Sequence, residues 1–294
     1  MSVYNTGVVS KGTIFPAELV TEMFNKVKGH SSIARLAAQT PVAFNGNDIM
    51  TFAMEDEVAL LGENESKSAG SVVLAPVQMK PVKVEYGARV SDEFLYASEE
   101  KQIDMLKDFA EGYAKKVARG LDIMVMHGVN PRTGSAASQI GTNSLDTNTD
   151  VTAVTATSAP LADLESAVAA IGDYDVTGYA LGKTFAASLA PVTVGQTVPF
   201  AAFMLGGNPG ALNGIPADVN NTVEFNSSGI SAYVGDFANA LKWGYAKEIP
   251  LEVIPYGDPD NSGHDLKGFN QVYLRAETYI GWGILDGTAF ARIA

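Results

Sequence analysis

The chain has 294 residues, enough to bury a substantial core as one large domain or as two smaller subdomains. Apolar residues make up 46% and charged residues 18%, ordinary for a globular protein and too hydrophobic for a disordered one. A formal charge of -13 without a long basic run argues against a surface built to neutralise phosphates, and zero cysteines exclude disulfides, thiolate nucleophiles and cysteine-ligated metals.

Residues 1–15 are rich in Gly, Ser and Thr and read as an extended arm that needs another surface to order it. They contain neither a basic n-region nor a continuous apolar stretch, and no segment approaches the roughly 20 apolar residues that span a bilayer. No membrane partner is expected. Pro16, followed by Leu19, Val20, Met23, Phe24 and Val27 at helical spacing and by Gly29, predicts a short amphipathic helix.

From Gln39 the period changes to two, which puts Met50, Phe52 and Met54 on one face of a strand. After a polar stretch, Glu55 to Ser71, Val82, Val84, Tyr86, Ala88 and Val90 alternate with Lys83, Glu85 and Arg89. This spacing predicts a long hairpin with an acidic tip, and Pro76 and Pro81 leave its second arm with an unpaired edge.

Ser98, Glu99 and Glu100 make a good helix start, because a hydroxyl caps free N–H groups and carboxylates favour the positive end of the dipole. Ile103, Leu106, Ala110, Tyr113, Val117, Leu121 and Met124 then step by three or four, while Lys107, Glu111, Lys115 and Asp122 face elsewhere. The helix is expected to end near His127, after roughly 45 Å. Residues 130–158 read as a surface crossing rich in Gly, Ser, Thr and Asn.

Beyond it the pattern predicts a helix near Leu161–Ile171, a strand near Gly178–Leu181, a helix near Thr184–Leu189 and strands near Val219–Phe225 and Glu248–Ile254. Such alternation suits an α/β or α+β subdomain. A turn-rich loop from Asp258 to Gly263 leads to a final strand pair, Gln271–Glu277 with Ala289–Ile293.

Three patterns invite a chemical reading. Gly178 to Thr184 looks like a phosphate-binding loop, but three residues rather than four separate its glycines, so the ring of N–H groups cannot form. A strand ending in a turn is the better reading. Asp258, Asp260, Ser262 and Gly263 look like the start of a calcium loop, yet Phe269 stands where a bidentate Glu is required. His30, His127 and His264 lie far apart with no partner at zinc-helix spacing, and the Asp56–Glu57 pair reads as solvated charge. The expectation is a protein without catalytic, cofactor-binding or metal-binding residues, and without an enzymatic activity.

The order of arm, helix, long hairpin, long helix, α/β insertion and returning strands resembles the major capsid proteins of tailed bacteriophages, the Hong Kong 97-like fold. Local sequence agrees: Leu61-Gly62-Glu63 with Lys67 at the tip, Val90-Ser91 with Glu93-Phe94-Leu95 ahead of the long helix, and Leu212-Asn213-Gly214-Ile215-Pro216. Gly235-Asp236-Phe237, Leu274-Arg275-Ala276-Glu277 and Ala289-Phe290 look like later landmarks of that family.

The resemblance implies an α+β fold: an N-terminal arm and short helix over 1–40, an extended hairpin loop over 41–89, a peripheral domain with a spine helix over 90–135, an α/β axial domain over 136–262, and a C-terminal return over 263–294. It also implies self-assembly through hexamers and pentamers into an icosahedral head around double-stranded DNA, with weak, non-specific DNA contact. A scaffolding protein, a portal and a decoration protein would be further partners, and the locations would be the virion and, during assembly, the host cytoplasm. Starting at Met1 without the helical extension that some members carry, the chain is expected to use a separate scaffold. Lys67 lies in the loop that carries the cross-linking Lys of some members, but no matching Asn and Glu can be placed. The nearest alternative is an encapsulin-type nanocompartment shell of the same fold; a nucleotide-binding enzyme is a more distant one.

Overall fold

The computed structural model describes residues 30–294 apart from 55, 57, 64, 68, 97 and 98. The arm over 1–15, the helix from Pro16 to Gly29 and the Ser98 cap therefore lie outside the described residues. The described chain begins with helix α1 (Ser32–Leu36) and strands β1 (Ala38–Gln39), β2 (Asn47–Met54), β3 (Val72–Met79) and β4 (Pro81–Ser91). A short helix, α2 (Glu93–Tyr96), precedes α3 (Glu99–His127). Next come β5 (Thr152–Val154), α4 (Pro160–Ala170), β6 (Gly178–Leu181), α5 (Lys183–Leu189), β7 (Ala211–Leu212), β8 (Ile215–Val219) and β9 (Ala232–Gly235). The last strands are β10 (Leu241–Ile254), β11 (Gln271–Ile284) and β12 (Phe290–Ile293).

α3 has 29 residues and a length of about 44 Å from the helical rise. Its apolar stripe, with Leu106, Ala110, Tyr113, Val117, Leu121 and Met124, is buried as its period requires. From Gly120 onward the helix is buried all round, and Asp122, expected on the polar face, lies wholly inside the protein. Gly128, at φ +67°, ends the helix by returning its N–H to the Met124 carbonyl at 3.0 Å, a conformation that costs a glycine no Cβ clash.

One sheet has the order β1-β10-β11-β4 and another β5-β12-β9-β6-β8-β7. β10 and β11 pair antiparallel from Leu241 opposite Ile284 to Ile254 opposite Tyr273, and the second of two register shifts falls at Pro250, which has no N–H to donate. Trp243 stands directly opposite Trp282 in this ladder, and both are fully buried. Burial of each ring contributes on the order of 3 kcal/mol. The second sheet adds Tyr233, Phe290 and Ala180 to the same core, with α3 packed among them.

The pairing of the expected hairpin is corrected. β2 pairs with β3, from Asn47 opposite Met79 to Met54 opposite Val72, rather than with the strand of Val82 to Val90. That later strand, β4, is bonded along its whole length to β11, so Val82 and Val84 pack on the protein's own core. Both alternating segments are strands, but alternation does not name a partner. The final strand pair is also corrected: β11 joins the four-stranded sheet, whereas β12 pairs antiparallel with β9 and parallel with β5. The strand expected at Val219–Phe225 lies earlier, over Ile215–Val219, and Phe225 begins a 3-10 turn.

Candidate functional site

The residues with the most recognisable chemistry are each occupied by a neighbour within the chain. Glu224 lies at the start of α5, where a phosphate would bind, and accepts the Thr184 N–H at 3.0 Å and the Thr184 hydroxyl at 3.1 Å. The segment Gly178 to Thr184 is thus a strand, a turn and a helix start already capped by a carboxylate. Asp258 and Asp260 converge on the Arg89 guanidinium, at 2.7 and 2.5 Å, so a side-chain cation stands where the calcium reading would put an ion. Alternation marks Arg89 only as a polar position on a strand, and nothing in the sequence pairs it with this loop.

The histidines remain apart. His30 and His264 are exposed, while His127 is buried at the end of α3 with its Nε2 2.8 Å from the Thr222 carbonyl. Burial pushes the His127 imidazole below its ordinary pKa. Asp56 accepts the Ser71 N–H at 2.6 Å and so joins the two arms below the hairpin tip; Glu57 is outside the described residues. Among the described residues no three His, Asp or Glu side chains gather into a group that could hold a metal. No described helix is long and apolar enough to cross a membrane.

The feature that calls for a partner is the β2–β3 hairpin. It forms a two-stranded sheet of its own. Residues directly opposite in an antiparallel pair share a face, which sets Met50, Phe52 and Met54 beside Pro76, Leu74 and Val72. The outer part of this face is apolar and open to solvent, with Phe52 and Leu74 each 60% exposed and Met54 76%, while Asp48 and Gln78 make it polar nearer the base. Beyond it Val58 and Leu60 are almost wholly exposed.

The hairpin base behaves differently. Met79 is 0% exposed, and a Cβ on Gly283 of β11 would come within 2.8 Å of its Cγ, so this glycine lets the methionine seat against the four-stranded sheet. One end of the hairpin is fixed to the body while the other presents apolar surface away from it. Scattered exposed apolar residues are ordinary, but a contiguous face of this kind marks a surface that another molecule covers.

The sequence matches the phage capsid family over residues 11–294. Among curated proteins no match is found. A solved structure from Mycobacterium phage Ogopogo is 31% identical, with a TM-score of 0.75 over 90% of this chain and 91% of that chain. One from Gordonia phage Cozz is 25% identical, with a TM-score of 0.70 over 90% and 86%. The capsid of an empty GTA particle, 15% identical with a TM-score of 0.58 over 90% and 89%, shares the fold.

Proposed function

This chain belongs to the phage capsid family and is a structural major capsid protein that self-assembles into a shell, and we propose that the shell is the icosahedral head of a tailed phage, closed from hexamers and pentamers around double-stranded DNA. The observation that carries this reading is the open apolar face of the β2–β3 hairpin on a chain that matches the family over nearly its whole length. An isolated two-stranded hairpin is marginal in water, so the face needs cover, and a neighbouring subunit supplies it. The encapsulin-type alternative shares the fold, but the phage relatives do not favour it.

In this reading the hairpin within 41–79 is the extended loop, α3 with the four-stranded sheet is the peripheral domain, and the six-stranded sheet is the axial domain. β10 then belongs to the peripheral part and β12 to the axial part, because sheet membership and not chain order groups them. A separate scaffolding protein, a portal and a decoration protein are the further partners, with assembly in the host cytoplasm. Contact with the packaged genome is weak and non-specific, since a subunit of net charge -13 repels phosphate at long range. No cofactor takes part.

Electron microscopy of the purified chain, alone and with its scaffold, tests this. Closed icosahedral shells are expected. A chain that stays monomeric at every concentration with the scaffold present would overturn the reading, and shells that load protein cargo instead of DNA would replace it with a nanocompartment.

A further inference from the structure

A second exposed surface lies between α5 and β8, at the edge of the six-stranded sheet that β7 and β8 form. From Thr184 to Ala217 the chain carries no Asp, Glu, Lys, Arg or His, although 18% of the whole is charged. A stretch without charge is ordinarily interior. Much of this one is not, since residues 193–199, 204–206 and 208–209 are exposed.

The base of the stretch is held firmly. Glu224 caps α5 where it begins, and Phe200 and Phe203 are buried in the core of the six-stranded sheet. Asp218, the charge that ends it, accepts the Asn208 amide at 2.9 Å, the Arg35 guanidinium at 2.7 Å and the Ser32 hydroxyl at 2.6 Å. The Gly210 carbonyl accepts the Ala217 N–H at 3.1 Å.

On this fixed base the outer part presents apolar side chains to solvent. Val194 and Thr197 exchange backbone hydrogen bonds at 2.9 and 3.2 Å around a tight turn at Gly195, whose φ is +63°. Val194, Val198 and Met204 are exposed, and Leu205 is wholly so. Leu205 also has φ +56°, a left-handed conformation that a residue with a Cβ rarely adopts. Nothing within the subunit covers its side chain in return.

The missing charge identifies what covers this surface. Where two different surfaces meet, charge is useful, because a positive group on one can face a negative group on the other. A surface that meets copies of itself about a rotation axis has no such choice: every charge faces its own repeats, and either sign repels. Absence of both signs over an exposed stretch therefore marks a surface that meets itself. In a subunit of net charge -13, few stretches of this length could do so without repulsion.

We propose that residues 193–206 meet the same residues of neighbouring copies about a rotation axis of the shell, with Leu205 buried among its own repeats. The contact rests on the shell reading above and is separate from the hairpin face. It sets a rule for this segment: a charge of one sign on every copy opposes assembly, and opposite charges on alternate copies permit it.

Two full-length variants, Leu205→Glu and Leu205→Lys, test the rule under the conditions in which the parent forms shells. Both should keep the parent's thermal transition, because Leu205 stands in water in the free subunit. Each alone should give about tenfold fewer shells at low salt, counted by electron microscopy and sedimentation, and added salt should recover part of the loss. An equal mixture of the two should form more shells than either alone. Shells as abundant as the parent's from both single variants overturn the contact while leaving the shell reading in place. A mixture no better than its two components overturns the like-with-like meeting, since a contact with a different surface gives that result. A parent that forms no shells removes the shell reading and this contact together.

Discussion

Arg89 holds Asp260 by both carboxylate oxygens, with Nε donating to Oδ2 at 2.9 Å and Nη2 to Oδ1 at 2.5 Å across 171 residues of sequence. The same Nη2 reaches Asp258 Oδ1 at 2.7 Å, the Ser262 hydroxyl at 2.5 Å and the His264 carbonyl at 2.9 Å. A loop with two acids and two glycines, Gly257 and Gly263, is thereby fastened to the end of β4 by one planar cation.

Arg89→Ala should leave the two large sheets intact and loosen residues 257–265, seen as faster hydrogen exchange and earlier proteolytic cleavage there. Arg89→Lys should not restore the clasp, because an ammonium lacks the fork that grips two oxygens at once. The Arg89 hydrogen bond holds Asp260 well below the ordinary carboxylate range. A depressed folded pKa contributes stability that is fully present above the unfolded value and fades as pH falls toward the folded one. The loop should therefore stay protected at pH 5 and loosen only below about pH 4, and sooner in high salt because the clasp is near the surface. Unchanged protection in Arg89→Ala would refute this role.

The hairpin face and the hairpin base should respond differently to substitution. Phe52→Ser with Leu74→Ser should shift subunit stability by less than about 0.5 kcal/mol, since both residues are already in water. Shell assembly, read by light scattering and microscopy, should be lost. Met79→Ala should instead cost the folded subunit about 2–5 kcal/mol, because it empties a filled site. Normal assembly of the double variant would show that the face is not an intersubunit surface.

Tyr113→Phe should lower stability by about 1–2 kcal/mol in chemical denaturation, while the fold is retained. The buried Tyr113 hydroxyl donates to the Thr278 hydroxyl at 2.8 Å and ties α3 to β11. Without it Thr278, itself buried, loses that donor inside the protein. A neutral substitution would mean that another group or a water replaces the tyrosine.

Glu224→Ala should cost about 0.5–2 kcal/mol through loss of the α5 cap. It should not create nucleotide binding, because removing the carboxylate leaves the spacing of Gly178 and Gly182 unchanged. Titration with ATP and magnesium checks both the variant and the parent, and saturable binding by either would contradict the structural reading of this loop.

Sequence periodicity by itself determined several of the helical and extended segments and where some of them stop, but not the strand Val72–Met79, nor the true place of the one expected at Val219–Phe225. α3 ends at His127 and β6 covers Gly178–Leu181, as spacing and flanking residues require. The apolar face of Met50, Phe52 and Met54 was also legible, because side chains in a strand alternate. The small strand β9 was not, since all four of its residues are buried and no alternation marks it.

Only the tertiary structure decided the partners. That β2 takes β3, that β4 takes β11 and that β12 crosses to β9 depends on which backbone edges meet in space, and hydrophobic pattern constrains a strand's faces without naming its neighbour. The same holds for charge. A helical wheel sends Asp122 to solvent, but folding surrounds the last two turns of α3 on every side and makes that carboxylate the acceptor of the Ser31 hydroxyl and the Ser32 and Ile33 N–H groups. Arg89 and Asp260 look like two ordinary surface charges in the sequence, and only the return of β11 beside β4 brings them together.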